Sequence, residues 1–172
     1  MESTNLILKY KNGCQESFCR FYTQHTDNLY RYVLGLSGDI TVTDDVVCAT
    51  WEKFILSVPE IRSNPKAYLY TIARNAWLDE VKQQLRHTSI HDLDIISNSH
   101  YEEDVDILQL KYLLEKLQDL PAEQRDALLL RHFAGFSIED IASQQNCSTE
   151  GAKTRVRYAV NKLKRLVASR AF

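Results

Sequence analysis

The sequence predicts an all-α protein made of two small helical domains joined by an acidic flexible linker, with a helix-turn-helix in the C-terminal domain. Hydrophobic residues form 44% of the 172 residues, and there are only three prolines and five glycines, a composition that favours compact helical structure. Apolar residues recur at helical spacing on both sides of one aperiodic stretch. We therefore divide the chain into a domain at 1–88, a linker at 89–107 and a domain at 108–172.

Charge is distributed unevenly along these three parts. Residues 1–88 carry ten basic and ten acidic residues, residues 89–107 carry six acidic and no basic residues, and residues 108–172 carry eleven basic and seven acidic residues. The net charge of −2 therefore conceals an acidic segment followed by a basic one. An acidic stretch without periodicity is typical of a flexible, solvated linker.

Two helices are predicted in the first 58 residues. An apolar helical pattern extends over residues 3–35 and is expected to be broken by Gly35, Gly38 and Asp39. The second helix is predicted from about Thr43 to just before Pro59. The residues at helical spacing that support it are Val46, Val47, Thr50, Trp51, Phe54 and Ile55.

A third helix is predicted from about Lys66 to His87, and one of its faces mixes cations, hydrogen-bonding groups and aromatic rings. This face contains Thr71, Asn75, Lys82 and Arg86, with Tyr70 and Arg74 at its border. The mixture suits single-stranded nucleic acid, because phosphates need cations and unstacked bases need flat or polar partners. The alternative interpretation is that Tyr68, Tyr70 and Trp77 belong to the core and that the cations form a solvated face.

The C-terminal domain is predicted to contain two helices around Pro121, followed by a helix-turn-helix at 137–165. Ser137 is a credible N-cap with Asp140 three residues later, Asn146 suits a left-handed turn conformation, and Ser148 can cap the second helix. At a period of 3.6 residues, one narrow arc of that helix is apolar and must be buried. This arc consists of Ala152, Val156, Ala159, Val160 and Leu163.

The opposite face of the same helix is polar and basic. It presents Glu150, Thr154, Arg157 and Asn161, flanked by Lys153 and Lys164 on one side and by Arg155, Lys162 and Arg165 on the other. Short polar residues between cations suit base edges between phosphates, and a helix-turn-helix places its second helix in the major groove. A single basic segment in a weakly charged chain predicts modest affinity for DNA alone. The alternative is an ordinary helical hairpin with a solvated cationic face.

Other classes of site find little support in the sequence. The four cysteines, Cys14, Cys19, Cys48 and Cys147, include no CxxC pair, so we expect reduced thiols and neither a disulfide framework nor a zinc module. His87 and His91 have i, i+4 spacing, which is a weak metal motif. No catalytic constellation assembles in the sequence, and no apolar run approaches the length of a membrane span. We expect a cytoplasmic protein without cofactor, metal or membrane contact of its own.

Four segments, in this order, resemble the sigma factors of bacterial RNA polymerase, in particular the small two-domain group called extracytoplasmic-function sigma factors. The first part of the family's promoter-melting domain is similar to LKYKNGCQESFCRFYTQHTDNLYRYVLGLSGD, and its polymerase-binding helix is similar to DDVVCATWEKF. Its segment for the upstream edge of the melted element is similar to PKAYLYTIARNAWLDEVKQQLR, and its C-terminal domain to LPAEQRDALLLRHFAGFSIEDIASQQNCSTEGAKTRVRYAVNKLKRL. The resemblance runs nearly end to end.

The resemblance implies a dissociable, non-enzymatic specificity subunit that binds bacterial core RNA polymerase and promoter DNA, as duplex and as melted single strand. An anti-sigma factor is a further implied partner. The implied residues for the upstream element are Ser148, Glu150, Lys153, Thr154, Arg155, Arg157, Tyr158 and Lys162. Those implied for opening the downstream element are Arg62, Ser63, Asn64, Lys66, Tyr70, Thr71, Arg74, Asn75 and Lys82. Those implied for polymerase binding are Asp44, Asp45, Val47, Trp51 and Phe54.

Two other functions remain open at this point. A helix-turn-helix regulator could bind duplex DNA without polymerase, but it would need a dimer interface and a palindromic site, and no heptad or spare apolar face supplies one. A sigma-like interaction module that has lost promoter melting is the second alternative. Its support is Cys48-Ala49, where the family usually has a glutamine followed by an acidic residue.

Overall fold

The computed structural model describes residues 2–88 and 105–169, and every regular element in these two ranges is helical. The first half of the chain contains α1 (Glu2–Lys11), α2 (Gln15–Ser37), α3 (Ile40–Ser57), a 3₁₀ turn (Val58–Glu60) and α4 (Pro65–Thr88). The second half contains α5 (Val105–Gln118), α6 (Ala122–His132), α7 (Ile138–Gln144) and α8 (Thr149–Ala168). The predicted all-α class is therefore confirmed.

The first predicted helix is in fact two helices. The chain turns at Gly13, whose φ of 95° is a left-handed conformation that suits glycine, and this turn separates α1 from α2. The prediction that Gly35 breaks the helix is wrong, because Gly35 lies inside α2. The helix ends at Gly38 instead, which has a φ of 72° and donates its N–H to the carbonyl of Leu34.

An aromatic cluster forms the core of the N-terminal half. Phe21 of α2 stacks on Phe54 of α3 with ring centroids 5.2 Å apart, and Trp51 meets both rings edge-on. The Asp39 carboxylate accepts a hydrogen bond from the Val42 N–H, so α3 begins three residues earlier than predicted. These contacts fix α3 against α2 through its aromatic side.

Local capping groups build the C-terminal half as predicted. Ser137 and Asp140 form a reciprocal capping box at the start of α7, and the Ser148 hydroxyl accepts from the Gly151 N–H at the start of α8. Asn146 has a φ of 49° in the turn between these helices. Ala152 and Ala159 are fully buried, whereas Val156, Val160 and Leu163 are half-buried against the same core. The helix-turn-helix prediction is therefore confirmed in its geometry.

The two halves pack directly against each other. Helix α2 lies against α5 and α6, and α4 also touches α7. Gly35 permits the close approach, because a Cβ added there would lie 2.5 Å from Cδ2 of Leu129. Of the predicted linker, residues 89–104 lie outside the described residues, and the remaining 105–107 form the first turn of α5. The linker prediction therefore extended three residues too far.

The stability of the fold is expected to depend on pH through His25. Its ring packs on Phe21 and hydrogen-bonds with the Ser3 hydroxyl, and burial lowers the pKa of His25 from 6.5 to about 4. Between these two pH values, the unfolded chain binds a proton at His25 that the folded chain does not, so the free energy of unfolding falls as the pH is lowered. After discounting for partial exposure of the ring, we expect a loss of about 1–2 kcal/mol.

Chemical denaturation at several pH values between 4 and 7 measures this contribution. The His25→Gln variant should lose less stability on acidification than the wild-type protein, whereas a variant of the exposed His132, His132→Gln, should follow the wild type. Parallel pH curves for wild type and His25→Gln would contradict the assignment.

Candidate nucleic-acid and polymerase interfaces

The N-terminal part of α8 presents an exposed polar face to solvent. Glu150 and Lys153 are exposed, and Oε1 of Glu150 lies 3.8 Å from Nζ of Lys153. The exposed Arg157 guanidinium lies over the ring of Tyr158, 5.4 Å from its centroid. Thr154, between them on the helix surface, is half-buried. This face has the side chains required for reading base edges: cations, a carboxylate and hydroxyl groups in one helical stripe.

Two cations predicted to contact DNA are engaged within the C-terminal half. The Arg155 guanidinium pairs with Glu123 at 2.6 Å and donates to the Gln145 side-chain oxygen at 2.9 Å. The Lys162 ammonium donates to the carbonyl of Asp119 at 2.8 Å. Both side chains therefore hold α8 against α6 and the adjoining turns, which orients its exposed face.

The predicted downstream-element residues fall into two groups. Arg62, Ser63, Asn75 and Lys82 are exposed on the loop before α4 or on α4 itself. Asn64 is also exposed, but its side-chain oxygen accepts from the backbone N–H groups of Lys66 and Ala67, as an N-cap does. Proline at the first position of α4 supports the same helix start.

The second group contacts the C-terminal half. The Thr71 hydroxyl lies 3.0 Å from the side-chain oxygen of Gln144, and Nε of Arg74 lies 3.1 Å from the carboxylate of Asp126. The Lys66 ammonium lies over the ring of Phe136, 5.1 Å from its centroid, and burial lowers the pKa of Lys66. The C-terminal half therefore covers part of the predicted downstream surface.

Tyr70 is not a surface residue in this structure. Its side chain is 1% exposed, and its ring lies between those of Tyr32 and Phe136, with centroids 5.1 and 5.3 Å away. Burial raises the pKa of its phenol, and its hydroxyl has no hydrogen-bond partner in the described part of the chain. The prediction that Tyr70 contacts DNA is corrected: here it is a core residue, as the alternative interpretation held.

Two of the α3 residues predicted to bind polymerase are buried, and their assignment is corrected. Phe54 is fully buried and Trp51 is only 7% exposed, because both belong to the aromatic core. Neither side chain is available to a partner in this fold. Asp44 and Asp45 are exposed, Asp44 accepts from the Tyr30 hydroxyl at 3.0 Å, and Val47 is half-buried.

Exposed apolar residues on α3 were missed by this assignment. Ile55 and Leu56 are 43% and 74% exposed, and helical periodicity places them on the side of α3 that carries Asp44, Cys48 and Glu52. This α3 face, defined by Asp44, Asp45, Cys48, Glu52, Ile55 and Leu56, runs the length of the helix. The adjacent apolar pair Ile55-Leu56, beyond the buried Phe54, was the available signal in the sequence.

A second surface missed in the sequence is an apolar groove of about 680 Å³ in the C-terminal half. It lies between α5, α6 and α8, and its walls include Leu113, Leu128, Phe133 and Leu163. Leu110, on the same side of α5 as Leu113, is also exposed. Grooves of this kind accept the apolar face of an amphipathic helix.

The described residues offer neither a metal cluster nor a membrane-spanning helix. The weak His87–His91 motif cannot be placed, because His91 and the side chain of His87 lie outside the described residues. Within residues 2–88 and 105–169, no group of three or more potential metal ligands is assembled. No helix in the same ranges has both the length and the hydrophobicity needed to cross a membrane.

Comparison with known protein families identifies both halves. Residues 21–87, which contain most of α2 and all of α3, match the family described as sigma-70 region 2. Residues 110–163, from α5 into α8, match sigma-70, region 4. The chain belongs to the sigma-70 family. Sigma factors of this family direct RNA polymerase to promoters. Helix α1 lies before the residues that match region 2.

Individual relatives place this sigma factor in the extracytoplasmic-function group. It is 29% identical over 148 residues to ECF RNA polymerase sigma factor EcfG of Rhodopseudomonas palustris, covering 81% of this chain and 79% of EcfG. It is 26% identical to RNA polymerase sigma factor CarQ of Myxococcus xanthus, covering 92% of this chain and 94% of CarQ. The resemblance noted in the sequence is confirmed.

Solved structures agree with this assignment. The sigma factor RpoE of Bartonella quintana, determined in complex with the anti-sigma factor NepR, superposes with a TM-score of 0.76 at 28% identity, covering 89% of this chain and 98% of RpoE. CnrH, determined in complex with the cytosolic domain of CnrY, gives the same TM-score at 19% identity, covering 98% of this chain and 99% of CnrH, which is a likeness of fold.

Proposed function

We propose that this sigma factor binds core RNA polymerase through the α3 face, reads the upstream promoter element with α8 and opens the downstream element with the loop before α4 and α4 itself. The observation that carries the proposal is the exposed polar face of α8, presented by a capped helix-turn-helix on a chain that also contains region 2. The proposed role consists of binding rather than catalysis, and its proposed place of action is the cytoplasm, where core polymerase is found.

The α3 face supports polymerase binding through its mixture of groups. Two carboxylates near its N-terminal end and the exposed Ile55 and Leu56 near its C-terminal end offer ionic and apolar contacts on one helix. An apolar centre with a polar rim is typical of protein–protein interfaces. Cys48 lies on this face in place of the usual glutamine and leaves the apolar end intact.

An anti-sigma factor is the second proposed partner. The sigma factor RpoE, 28% identical to this chain, was determined in complex with one. The apolar groove of the C-terminal half, with the exposed Leu110 of α5 beside it, could bind an amphipathic helix of such a partner.

Replacing Arg157 by Ala tests the proposed reading of the upstream element. An arginine that contacts a base should contribute about 1–3 kcal/mol to discrimination at that base, and its loss should relax specificity there. Binding of the polymerase holoenzyme to promoter duplexes with single base changes measures this effect. Lys164→Ala, on the flank of the same helix, is the control, because a phosphate contact weakens binding to all sequences alike. An equal loss on all duplexes for Arg157→Ala would reduce it to a phosphate contact.

Transcription from a genomic promoter library by core polymerase, with and without this protein, tests the proposed function as a whole. We expect new start sites preceded by two spaced sequence elements. Retention of core polymerase without new starts would contradict promoter opening and favour an interaction module. Duplex binding without retention of core polymerase would favour a conventional helix-turn-helix regulator.

A further inference from the structure

Helix α1 is fixed on the N-terminal half at several points. Its Leu6 and Ile7 are buried in the core, and the Ser3 hydroxyl hydrogen-bonds with the ring of His25 on α2. The helix also contacts α4 and the 3₁₀ turn that follows α3. A side chain at the end of α1 is therefore held in place beside the connection between α3 and α4.

Lys11, the last residue of α1, reaches this connection. Its ammonium donates to the carbonyl of Ile61 at 2.6 Å and to the carbonyl of Pro59 at 3.5 Å, of which the shorter hydrogen bond is the stronger. Hydrogen bonds from a charged donor are roughly twice as strong as those between neutral groups. We call the contact of Lys11 with these two carbonyls the Lys11 brace.

The Ile61 carbonyl belongs to the peptide unit that leads into Arg62. A peptide unit is planar, so a hydrogen bond to the oxygen of Ile61 fixes the plane that ends at the Cα atom of Arg62. The side chain of Ile61 is buried, and its N–H donates to the Val58 carbonyl at 3.3 Å. Ile61 is thus held through its side chain, its N–H and its carbonyl, and the last of these depends on Lys11.

The exposed part of the loop before α4 lies between two fixed points. Arg62 and Ser63 are exposed after the fixed Ile61, and Asn64 caps α4 through its side-chain oxygen. A short loop fixed at both ends has few conformations, so it loses little entropy when it binds a ligand. Extruding a base from the duplex costs free energy, and a preformed site for that base offsets the cost.

We propose that Lys11 is a positioning residue for promoter opening: by holding the carbonyl of Ile61, it keeps the exposed Arg62 and Ser63 oriented toward the separated strand. The proposal rests on the proposed role of the loop before α4 in opening the downstream element. It also assigns a role in that step to α1, which lies before the residues that match sigma-70 region 2. Without the ammonium, only a fraction of molecules has the loop in the braced conformation, and binding of the separated strand is weakened by that fraction.

Two substitutions of Lys11 test the brace. Lys11→Met removes the ammonium but keeps an unbranched side chain of high helix propensity. Lys11→Arg keeps the charge and several N–H donors, so it should restore the contact. Lys9→Met is the matched control, because it removes the same charge from the same last turn of α1, and Lys9 forms no hydrogen bond with the loop in the described part of the chain.

Hydrogen–deuterium exchange of the free full-length protein, followed by mass spectrometry, measures the brace without DNA or polymerase. We expect the amides of residues 58–66 to exchange at least about threefold faster in Lys11→Met than in the wild type. Lys9→Met and Lys11→Arg should exchange like the wild type, and thermal unfolding checks that all variants are folded. Unchanged exchange in Lys11→Met would overturn the brace and leave the proposed function standing.

Promoter opening measures the consequence for function. Core polymerase is combined with each variant on a promoter from the genomic library, and the permanganate reactivity of unpaired thymines follows opening. We expect Lys11→Met to open the promoter at least about threefold more slowly than the wild type, with unchanged affinity for core polymerase and for the upstream duplex. Lys11→Arg and Lys9→Met should open it at the wild-type rate.

The other outcomes of these two experiments distinguish the positioning role from the proposed function. Faster exchange with an unchanged rate of opening would overturn the positioning role and would count against the loop as a DNA surface. Slower opening with unchanged exchange would make Lys11 a direct phosphate contact and would overturn the brace. No opening by the wild-type holoenzyme would overturn the proposed function itself, and the role of Lys11 with it.

Discussion

Replacing Phe54 by Ala is expected to lower the free energy of unfolding by about 3–5 kcal/mol, the range typical of removing a buried aromatic ring. Phe54 is fully buried and stacks on Phe21, and its ring also contacts Trp51 and Tyr68. The truncation leaves a cavity in the centre of the N-terminal half. Urea denaturation monitored by circular dichroism measures the loss.

The neighbouring residue provides the control for this prediction. Ile55→Ala changes an apolar residue on the same turn of α3, but its side chain is exposed, so we expect a change within about 0.5 kcal/mol. If Phe54→Ala left stability unchanged and weakened polymerase binding only, the original assignment of Phe54 as a polymerase contact would be restored.

Replacing Leu56 by Lys is expected to weaken the binding of core polymerase at least about tenfold, a loss of about 1.4 kcal/mol. Leu56 is the most exposed large hydrophobic residue in the described part of the chain, at 74%, and it lies at the apolar end of the α3 face. A lysine suits the last turn of a helix, so stability should be retained while the apolar contact is lost.

Leu8→Lys is the matched control for Leu56→Lys. Leu8 is also exposed, but it lies on α1, before the segment that matches sigma-70 region 2. Titration of labelled core polymerase with each variant gives the affinities, and thermal unfolding checks that both variants are folded. Equal affinity for wild type and Leu56→Lys would remove the apolar end of α3 from the proposed interface.

Much of the C-terminal half could be predicted from local sequence. Ser137, Asp140, Asn146 and Ser148 each act on backbone groups within three residues, so a short window of sequence contains both partners of the interaction. The apolar arc of α8 was also predictable, because helical periodicity alone determines which residues share a face. Local sequence was misleading at Gly35: glycine is usually a helix breaker, yet Gly35 lies inside α2.

The aromatic residues show why the candidate sites were only partly predictable. Trp51, Phe54 and Tyr70 lie on amphipathic helices, and periodicity does not tell whether an aromatic ring at the edge of an apolar face contacts the core or a partner. Their burial depends on Phe21 and Tyr32 of α2 and on Phe136 of the loop between α6 and α7, all distant in the sequence from the rings that they cover. Only the packed structure shows that these three rings lie in the core.

By itself, the sequence determined the helical class, the capped helix-turn-helix, the cationic face of α8 and the membership of the sigma-70 family, because these depend on residues close together in the chain. Only the tertiary structure decided that Gly35 permits close packing, that Leu56 rather than Phe54 is exposed, and that Asp126 lies against Arg74. These features join residues as far as 94 positions apart, as Tyr32 and Asp126 are. Such distant contacts form only when packing of the whole core brings the helices together.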